Sequence, residues 1–279
     1  MQANFYMPKC SAIRSFGHKQ NLQYAGEQDR EEVLAYYRAF AARTNGATIH
    51  HYMDVHRIFD APYTVICRKN GTITGYLTFS FVPVDHYTDM YHDLLVHEML
   101  YDDLDTLEQF LTFFASQSDQ IDRVRIYSPD DYLHTMFLNP DSGENRAHDG
   151  CIHEIGRRTM GNMIRLLHVE HYFQEQSYCC QPVSRPFTLA LEVTDSFLPH
   201  NNKTFTLQIN SEKVVLIKNG TPDATLKTDI SDLSSLVIGA VPLKEFLRFG
   251  RMQLDHQTFA KDIQNAIGWD EKPCNYTYF

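Results

Sequence analysis

The segment Phe187-Thr188-Leu189-Ala190-Leu191-Glu192-Val193-Thr194-Asp195-Ser196-Phe197-Leu198-Pro199-His200-Asn201-Asn202-Lys203-Thr204-Phe205 changes character half-way along. Phe187, Leu189, Leu191 and Val193 recur at every second position, the period of a strand with one buried face. Asp195 to Asn202 then gathers Asp, Ser, Pro and Asn, residues that bond their own backbone or preset φ in turns. Phe205 to Ile209 and Val214 to Ile217 resume strand-forming sequence. Downstream the period becomes helical: Ser231 stands as an N-cap before Leu233, Leu236 and Val237, Pro242 occupies a helix start before Phe246 and Leu247, and Phe259, Ile263 and Ile267 mark a last helix. Strands followed by helices imply an α+β arrangement, with one sheet covered on one face by three C-terminal helices.

Upstream of Phe187, the run Ser177 to Pro186 holds Pro182, Pro186 and small polar residues and reads as a linker at a domain boundary. The preceding part is mixed α/β. Val33, Leu34, Tyr37, Phe40 and Ala41 recur at helical spacing between Gln28 and Thr44, with Asn45-Gly46 as a stop. Tyr63 to Lys69 and Ile73 to Val82 flank Asn70-Gly71, a strong hairpin signal. A strand is expected at Leu94 to Leu100, a helix where Leu104, Leu107, Leu111 and Phe114 share a face, a strand around Val124 to Tyr127 and a final strand at Met163 to Val169. The expected division is a first segment 1–26, a domain 27–176, the linker 177–186 and a domain 187–279.

The chain has 279 residues, 43% apolar and 22% charged, which is ordinary globular composition. Lys plus Arg is 25 and Asp plus Glu is 35, and the net charge of −10 opposes binding to phosphate backbones or anionic membranes. Nucleic acid and membrane are therefore not expected as partners. No apolar run is long enough to span a bilayer, and no export signal follows Met1. The six cysteines show no C-x-x-C pair, which fits reduced thiols in a cytoplasmic protein.

The alternating residues of 187–205, followed by Asp232, Leu233, Leu236, Gly239 and Phe249-Gly250-Arg251, resemble the sterol carrier protein-like C-terminal domain of the enhanced intracellular survival protein family, which are GNAT-type N-acetyltransferases. Pro273-Cys274-Asn275-Tyr276-Thr277-Tyr278-Phe279 is similar to the closing segment of that family, and Arg38-Ala39-Phe40-Ala41-Ala42-Arg43-Thr44-Asn45-Gly46 resembles its second GNAT-like domain. The resemblance implies a GNAT-like mixed α/β domain followed by the sterol carrier-like domain, and homo-oligomers, hexamers in the family. It also implies acetyl-CoA as cofactor, bound by a first GNAT domain, and a primary amine, on a small cation or a lysine, as acceptor. Of that first domain, Asn4 to Gln20 resembles only the final strand and loop, so 1–26 is a remnant or linker. Ile13 stands where the family has a tyrosine that acts as general acid, a role without a titratable group to perform it. The carboxylate of the last residue, here Phe279, is implied as general base.

A GNAT pyrophosphate loop has the pattern Arg/Gln-x-x-Gly-x-Gly/Ala at a helix N-terminus, where small residues let backbone N–H groups reach the phosphates. Arg158-Thr159-Met160-Gly161-Asn162-Met163 and Arg43-Thr44-Asn45-Gly46-Ala47-Thr48 both fail at the last position, so the chain alone is expected to bind no acetyl-CoA. His50-His51 with His56, His92 with His97-Glu98, and His168 with His171 match no metal-ligand spacing, and no metal is assigned. Asp102-Asp103 and Asp105 read as helix-capping acids, Cys179 and Cys180 as incidental thiols, and Phe110, Phe113 and Phe114 as core. The aromatic tail either anchors the Phe279 carboxylate by burial or frays. Three readings stay open: the C-terminal part of an acetyl-CoA-dependent N-acetyltransferase, a non-catalytic module holding an apolar ligand between the sheet and the helices of Leu233 to Phe249, and an assembly scaffold.

Overall fold

The computed structural model describes residues 2–49, 51–85, 88–143, 153–177 and 179–275. The described residues form two compact units, one within 2–161 together with 274–275 and one within 162–273.

The first unit contains β1 (Gln2–Tyr6), β2 (Leu22–Tyr24), α1 (Arg30–Arg43), α2 (His51–Phe59), β3 (Tyr63–Lys69), β4 (Thr72–Asp85), β5 (Thr88–Tyr101), α3 (Leu104–Ala115), β6 (Ile121–Ser128) and β7 (Gly156–Met160). They make a seven-stranded sheet in the order β2-β3-β4-β5-β6-β1-β7. All neighbours are antiparallel except β5 and β6, whose parallel pairing is bridged by α3. Leu77, Phe79, Leu94, Val96 and Ile126 are buried in one cluster with Leu107, Phe110, Leu111 and Phe114 of α3. Ile66, Tyr76 and Leu100 are buried in a second cluster with Val33, Leu34 and Tyr37 of α1 and Ile58 of α2. Both faces of the central strands are thus covered, which is why Val65 to Cys67 is an unbroken buried run rather than an alternating one. At the β3–β4 turn Asn70 and Gly71 have φ of +51° and +85°, the left-handed pair that Asn-Gly tolerates best.

The second unit contains α4 (Val169–Glu175), β8 (Phe187–Thr194), β9 (Thr204–Asn210), β10 (Lys213–Ile217), β11 (Ala224–Asp229), α5 (Ile230–Val237), α6 (Leu243–Arg248), β12 (Gln253–Leu254) and α7 (Ala260–Ile267). The sheet order is β10-β9-β8-β11-β12, antiparallel apart from β8 with β11. Phe187, Leu189, Leu191, Val193, Phe205, Leu207 and Ile209 bury one side against Leu233, Leu236, Leu243, Phe246, Ile263 and Ile267, the sheet-and-helix layering expected. A mixed α/β unit followed by this α+β unit is the fold class that the sequence implied.

Several boundaries differ from expectation. Within segment 1–26, β1 lies inside the sheet between β6 and β7, and Ile13 is buried with a bridge to Phe137. The units change over between Gly161 and Asn162, ahead of the linker expected at Ser177 to Pro186. That linker is tied into the second unit by the N–H groups of Cys179, Gln181 and Val183, which donate to Glu212, Asn265 and Ser211. No strand forms at Met163 to Val169, where Leu166 N–H is bound by the Ser234 hydroxyl and α4 starts after His168. The cap of α5 is Asp229, not Ser231: its carboxylate accepts from the Ser231 N–H at 2.8 Å.

Candidate functional site

The parallel pair of the first unit carries the geometry most open to ligand chemistry. Pairing between β5 and β6 runs from His92 with Ile121 to Val96 with Ile126. Beyond it, β5 stays with β4 up to Gly75–Tyr101, while Tyr127 and Ser128 of β6 pair with Phe5 and Asn4 of β1. The strands therefore part at their carboxyl ends, where open α/β sheets place ligands. His97 is an extra residue in β5, since Thr78 faces Glu98 while Phe79 faces Val96, and such a bulge re-aims the side chains after it.

Past the bulge, Glu98 meets α2 and is 1% exposed. Arg57 of α2 donates to Glu98 and, at 3.0 Å, to Asp54, and its guanidinium lies 4.5 Å from the Tyr37 ring centre. Burial pushes the Glu98 carboxyl up and Arg57 pulls it down. This network fixes α2 onto β5. The sequence carried a signal for it that was read as a histidine grouping: Glu98 is an acid inside the apolar strand run Leu94 to Leu100.

At the parted ends, Tyr6 Oη donates to the Asp130 carbonyl at 2.8 Å, and Asn4 Nδ2 to Asp131 Oδ1 at 2.8 Å. Tyr101 is raised by burial and by Asp130 and Cys274 nearby. Cys274 N–H donates to the Asn45 carbonyl at 2.8 Å, and the Thr48 hydroxyl to Asn275 Oδ1 at 3.0 Å. The C-terminal segment is thereby bound to this unit, beside the end of β5. Phe279, Tyr276 and Tyr278 lie outside the described residues.

The loop from β5 into α3 is where a phosphate would meet backbone N–H groups. It is occupied by acids. Asp103 is the N-cap and accepts from Thr106 N–H at 2.8 Å. Lys69 binds Asp103 and Asp105, and His18 Nε2 sits 2.8 Å from Asp105 Oδ1. Hydrogen bonds from Lys69 and His18 hold the Asp105 carboxyl down to about 2. The capping reading holds for Asp103, and Asp105 stands in the first turn, whereas Asp102 accepts from the Tyr36 hydroxyl and pairs with Arg43 instead. His18, Asp105 and Glu108 come within reach of one another, although Lys69 already neutralises Asp105.

Of the two glycine patterns, Arg158 lies in β7 and pairs with Asp131 at 2.9 Å, and Arg43 is the last residue of α1, with Gly46, at φ of +77°, in the turn after its C-cap Thr44. His56 meets Asp60, His97 meets Ser80, and His168 stacks on His171 and His200. Burial pushes the Cys180 thiol up to about 11, away from a nucleophilic thiolate.

In the second unit the motif residues hold turns. Asp195 accepts from the N–H groups of Phe197 and Leu198, from Asn201 Nδ2 and from Arg165. Arg251 forks onto Asp232 at 2.7 and 3.0 Å. Gly239, with φ of +74°, leaves room for the Glu271 carbonyl 2.6 Å from where a Cβ would stand. Between sheet and helices the described residues Leu189, Leu191, Leu207, Leu233, Leu236 and Ile263 are buried in one cluster. A cavity of about 720 Å³ is lined instead by α6, α7 and their flanks.

Residues 47–166 match the family model of the acetyltransferase (GNAT) domain, and residues 169–276 that of the sterol carrier protein domain. The chain carries both domains. The whole chain superposes on a GCN5-related N-acetyltransferase from Anabaena variabilis ATCC 29413, at 20% identity and a TM-score of 0.74 over 67% of that protein. It also superposes on a probable N-acyltransferase from Enterococcus faecalis V583, at 17% identity and 0.76 over 67%. Eis1 from Mycobacterium abscessus superposes at 17% identity and 0.72 over 68%. These are likenesses of fold, and the chain spans about two thirds of each. No curated protein sequence matches significantly. The GNAT match contains α2, β5 and α3, so the splayed strands belong to the GNAT domain, and the sterol carrier match runs into the C-terminal segment. Among the described residues, no helix is long and apolar enough to cross a membrane.

Proposed function

We propose that this chain supplies the GNAT-like and sterol carrier-like parts of an acetyl-CoA-dependent N-acetyltransferase acting on a primary amine, of a small cation or a lysine, with the acetyl-CoA site held by a further domain. The observation that carries this reading is the N-terminus of α3, where Asp103 and Asp105 with Lys69 take the place that a pyrophosphate would need. An anion there would meet two carboxylates and a helix end already capped. The similar proteins are each about half as long again, which is room for such a domain.

In this reading Phe279 carries the general base. Its terminal carboxylate, ionised at neutral pH, takes the proton of the acceptor ammonium so that the amine can attack the thioester. The anchoring of Cys274 and Asn275 supports a tail that is held in place. The proposal includes assembly as a homo-oligomer, which sedimentation would size, and residence in the cytoplasm.

Calorimetric titration of this chain with acetyl-CoA is the direct test, and no binding in the micromolar range is expected. Micromolar binding would place the cofactor in this GNAT domain and sink the proposal. In a protein that includes the further domain, deleting Phe279 should lower turnover at saturating acetyl-CoA; unchanged turnover removes the carboxylate from catalysis.

A further inference from the structure

The loop that joins α1 to α2 is fixed by its own bonds and by the core below it. The Thr44 hydroxyl donates to the Phe40 carbonyl at 2.8 Å, Ala47 N–H to the Thr44 carbonyl at 3.2 Å, and Gly46, at φ of +77°, lets the chain turn. The hydroxyl of Tyr37, a residue 1% exposed, donates to the Thr48 carbonyl at 2.7 Å. The Tyr37 ring packs under the Arg57 guanidinium, which Asp54 and Glu98 hold by ion pairs. Thr48 therefore stands on backbone that a buried side chain holds.

This loop grips the C-terminal segment in two different ways. The Asn45 carbonyl accepts from Cys274 N–H at 2.8 Å, a backbone bond that any residue but proline at 274 could make. The Thr48 hydroxyl donates to Asn275 Oδ1 at 3.0 Å, a bond that depends on both side chains. Cys274 is 8% exposed, so the grip is partly shielded from water. Phe279 follows Asn275 by four residues, a reach of at most about 14 Å, and fixing Asn275 limits where the terminal carboxylate can go. A general base must come within hydrogen-bond distance of the proton it takes, and a misplacement of about 1 Å can cost a hundredfold in rate.

We infer that Thr48 is a positioning residue for the Phe279 carboxylate: its hydroxyl fixes Asn275 and so aims the last four residues, while Tyr37 holds Thr48 in place. The inference rests on the reading of Phe279 as general base. Thr48 exchanges no proton with the substrate. The ammonium proton passes to the carboxylate, and the amine lone pair it leaves behind attacks the thioester.

Carboxypeptidase A, which releases a C-terminal aromatic residue from an end free to enter its own site, tests the grip on the full chain. Thr48→Val keeps the shape and removes the donor, and should release Phe279 about fivefold faster, the worth of one hydrogen bond, with circular dichroism verifying the fold. Thr48→Ser, which restores the hydroxyl, should release it at the parent rate, and Tyr37→Phe should release it faster than the parent. In a protein that includes the further domain, Thr48→Val should lower kcat about tenfold and leave KM for acetyl-CoA unchanged, and Thr48→Ser should recover kcat. The inference is overturned if Thr48→Val releases Phe279 at the parent rate or if Thr48→Ser behaves as Thr48→Val does. It is also overturned if kcat is unchanged in Thr48→Val while deletion of Phe279 lowers it, a result that leaves the general-base reading standing. Unchanged kcat in both variants removes the inference and that reading together.

Discussion

Asp195 draws four donors from two stretches of chain: the N–H groups of Phe197 and Leu198 and Asn201 Nδ2 from its own turn, and Arg165 from upstream. Asn201 in turn accepts from Val169 N–H at 3.0 Å and donates to the Leu167 carbonyl at 3.1 Å, so one carboxylate organises both ends of α4's approach. Asp195→Ala should destabilise the second unit by about 2 to 4 kcal/mol, because buried donors lose their acceptor; a shift in the urea midpoint would measure it, and a change under 1 kcal/mol would contradict this role. The pH dependence has a definite sign. Backbone and side-chain donors hold Asp195 down to about 2, below its ordinary 3.8. A carboxyl depressed in the folded state stabilises above its unfolded pKa, so this contribution is full above about pH 5 and is lost as pH falls through 4 towards 2. Acid unfolding of Asp195→Asn should accordingly be shallower over that window than that of the parent. The turn around Asp195 was legible because Asp, Pro and Asn have local reasons to be there; Arg165, 30 residues away, was not.

Helix α3 shows what spacing can and cannot say. Its apolar stripe and the Asp103 cap were readable, since Asp at the first turn both accepts a free N–H and complements the dipole. Asp103→Ala should lower stability by about 1 kcal/mol and release Lys69 in part, which thermal unfolding would register; a stabilised variant would mean that Asp103 chiefly repels Asp102 and Asp105. That this acidic end sits beside the parted strands could not be read, because it depends on β5 pairing with β4 on one side and losing β6 on the other. The elements missed share one cause. In β1, Gln2 to Tyr6, and β11, Ala224 to Asp229, few β-branched residues advertise a strand, and each is made one by two neighbours, β6 with β7 and β8 with β12. Helix α2 has a short apolar stripe and is held instead by the ion pairs of Arg57.

The C-terminal segment belongs to the first unit although its sequence follows the second. Ending the chain at Pro273 should therefore expose amides of the first unit: hydrogen exchange is expected to rise around Asn45 to Thr48 and at the end of β5, with the helices α5 to α7 unchanged. Protection unaltered at 45–48 would show the tail to be a passive appendage. By itself the sequence determined what depends on near neighbours: the hairpin at Asn70-Gly71, the alternating faces of β8 and β9, the caps and stripes of the helices, and through them the succession of a mixed unit and a sheet-plus-helices unit. Tertiary structure decided whatever needed partners far apart in the chain. It inserted β1 into the sheet, buried Glu98 against Arg57, moved the boundary between units to Gly161, and opened the cavity on α6 and α7. Periodicity records which face of an element is buried, while pairing order and buried charge depend on what arrives from elsewhere to cover it.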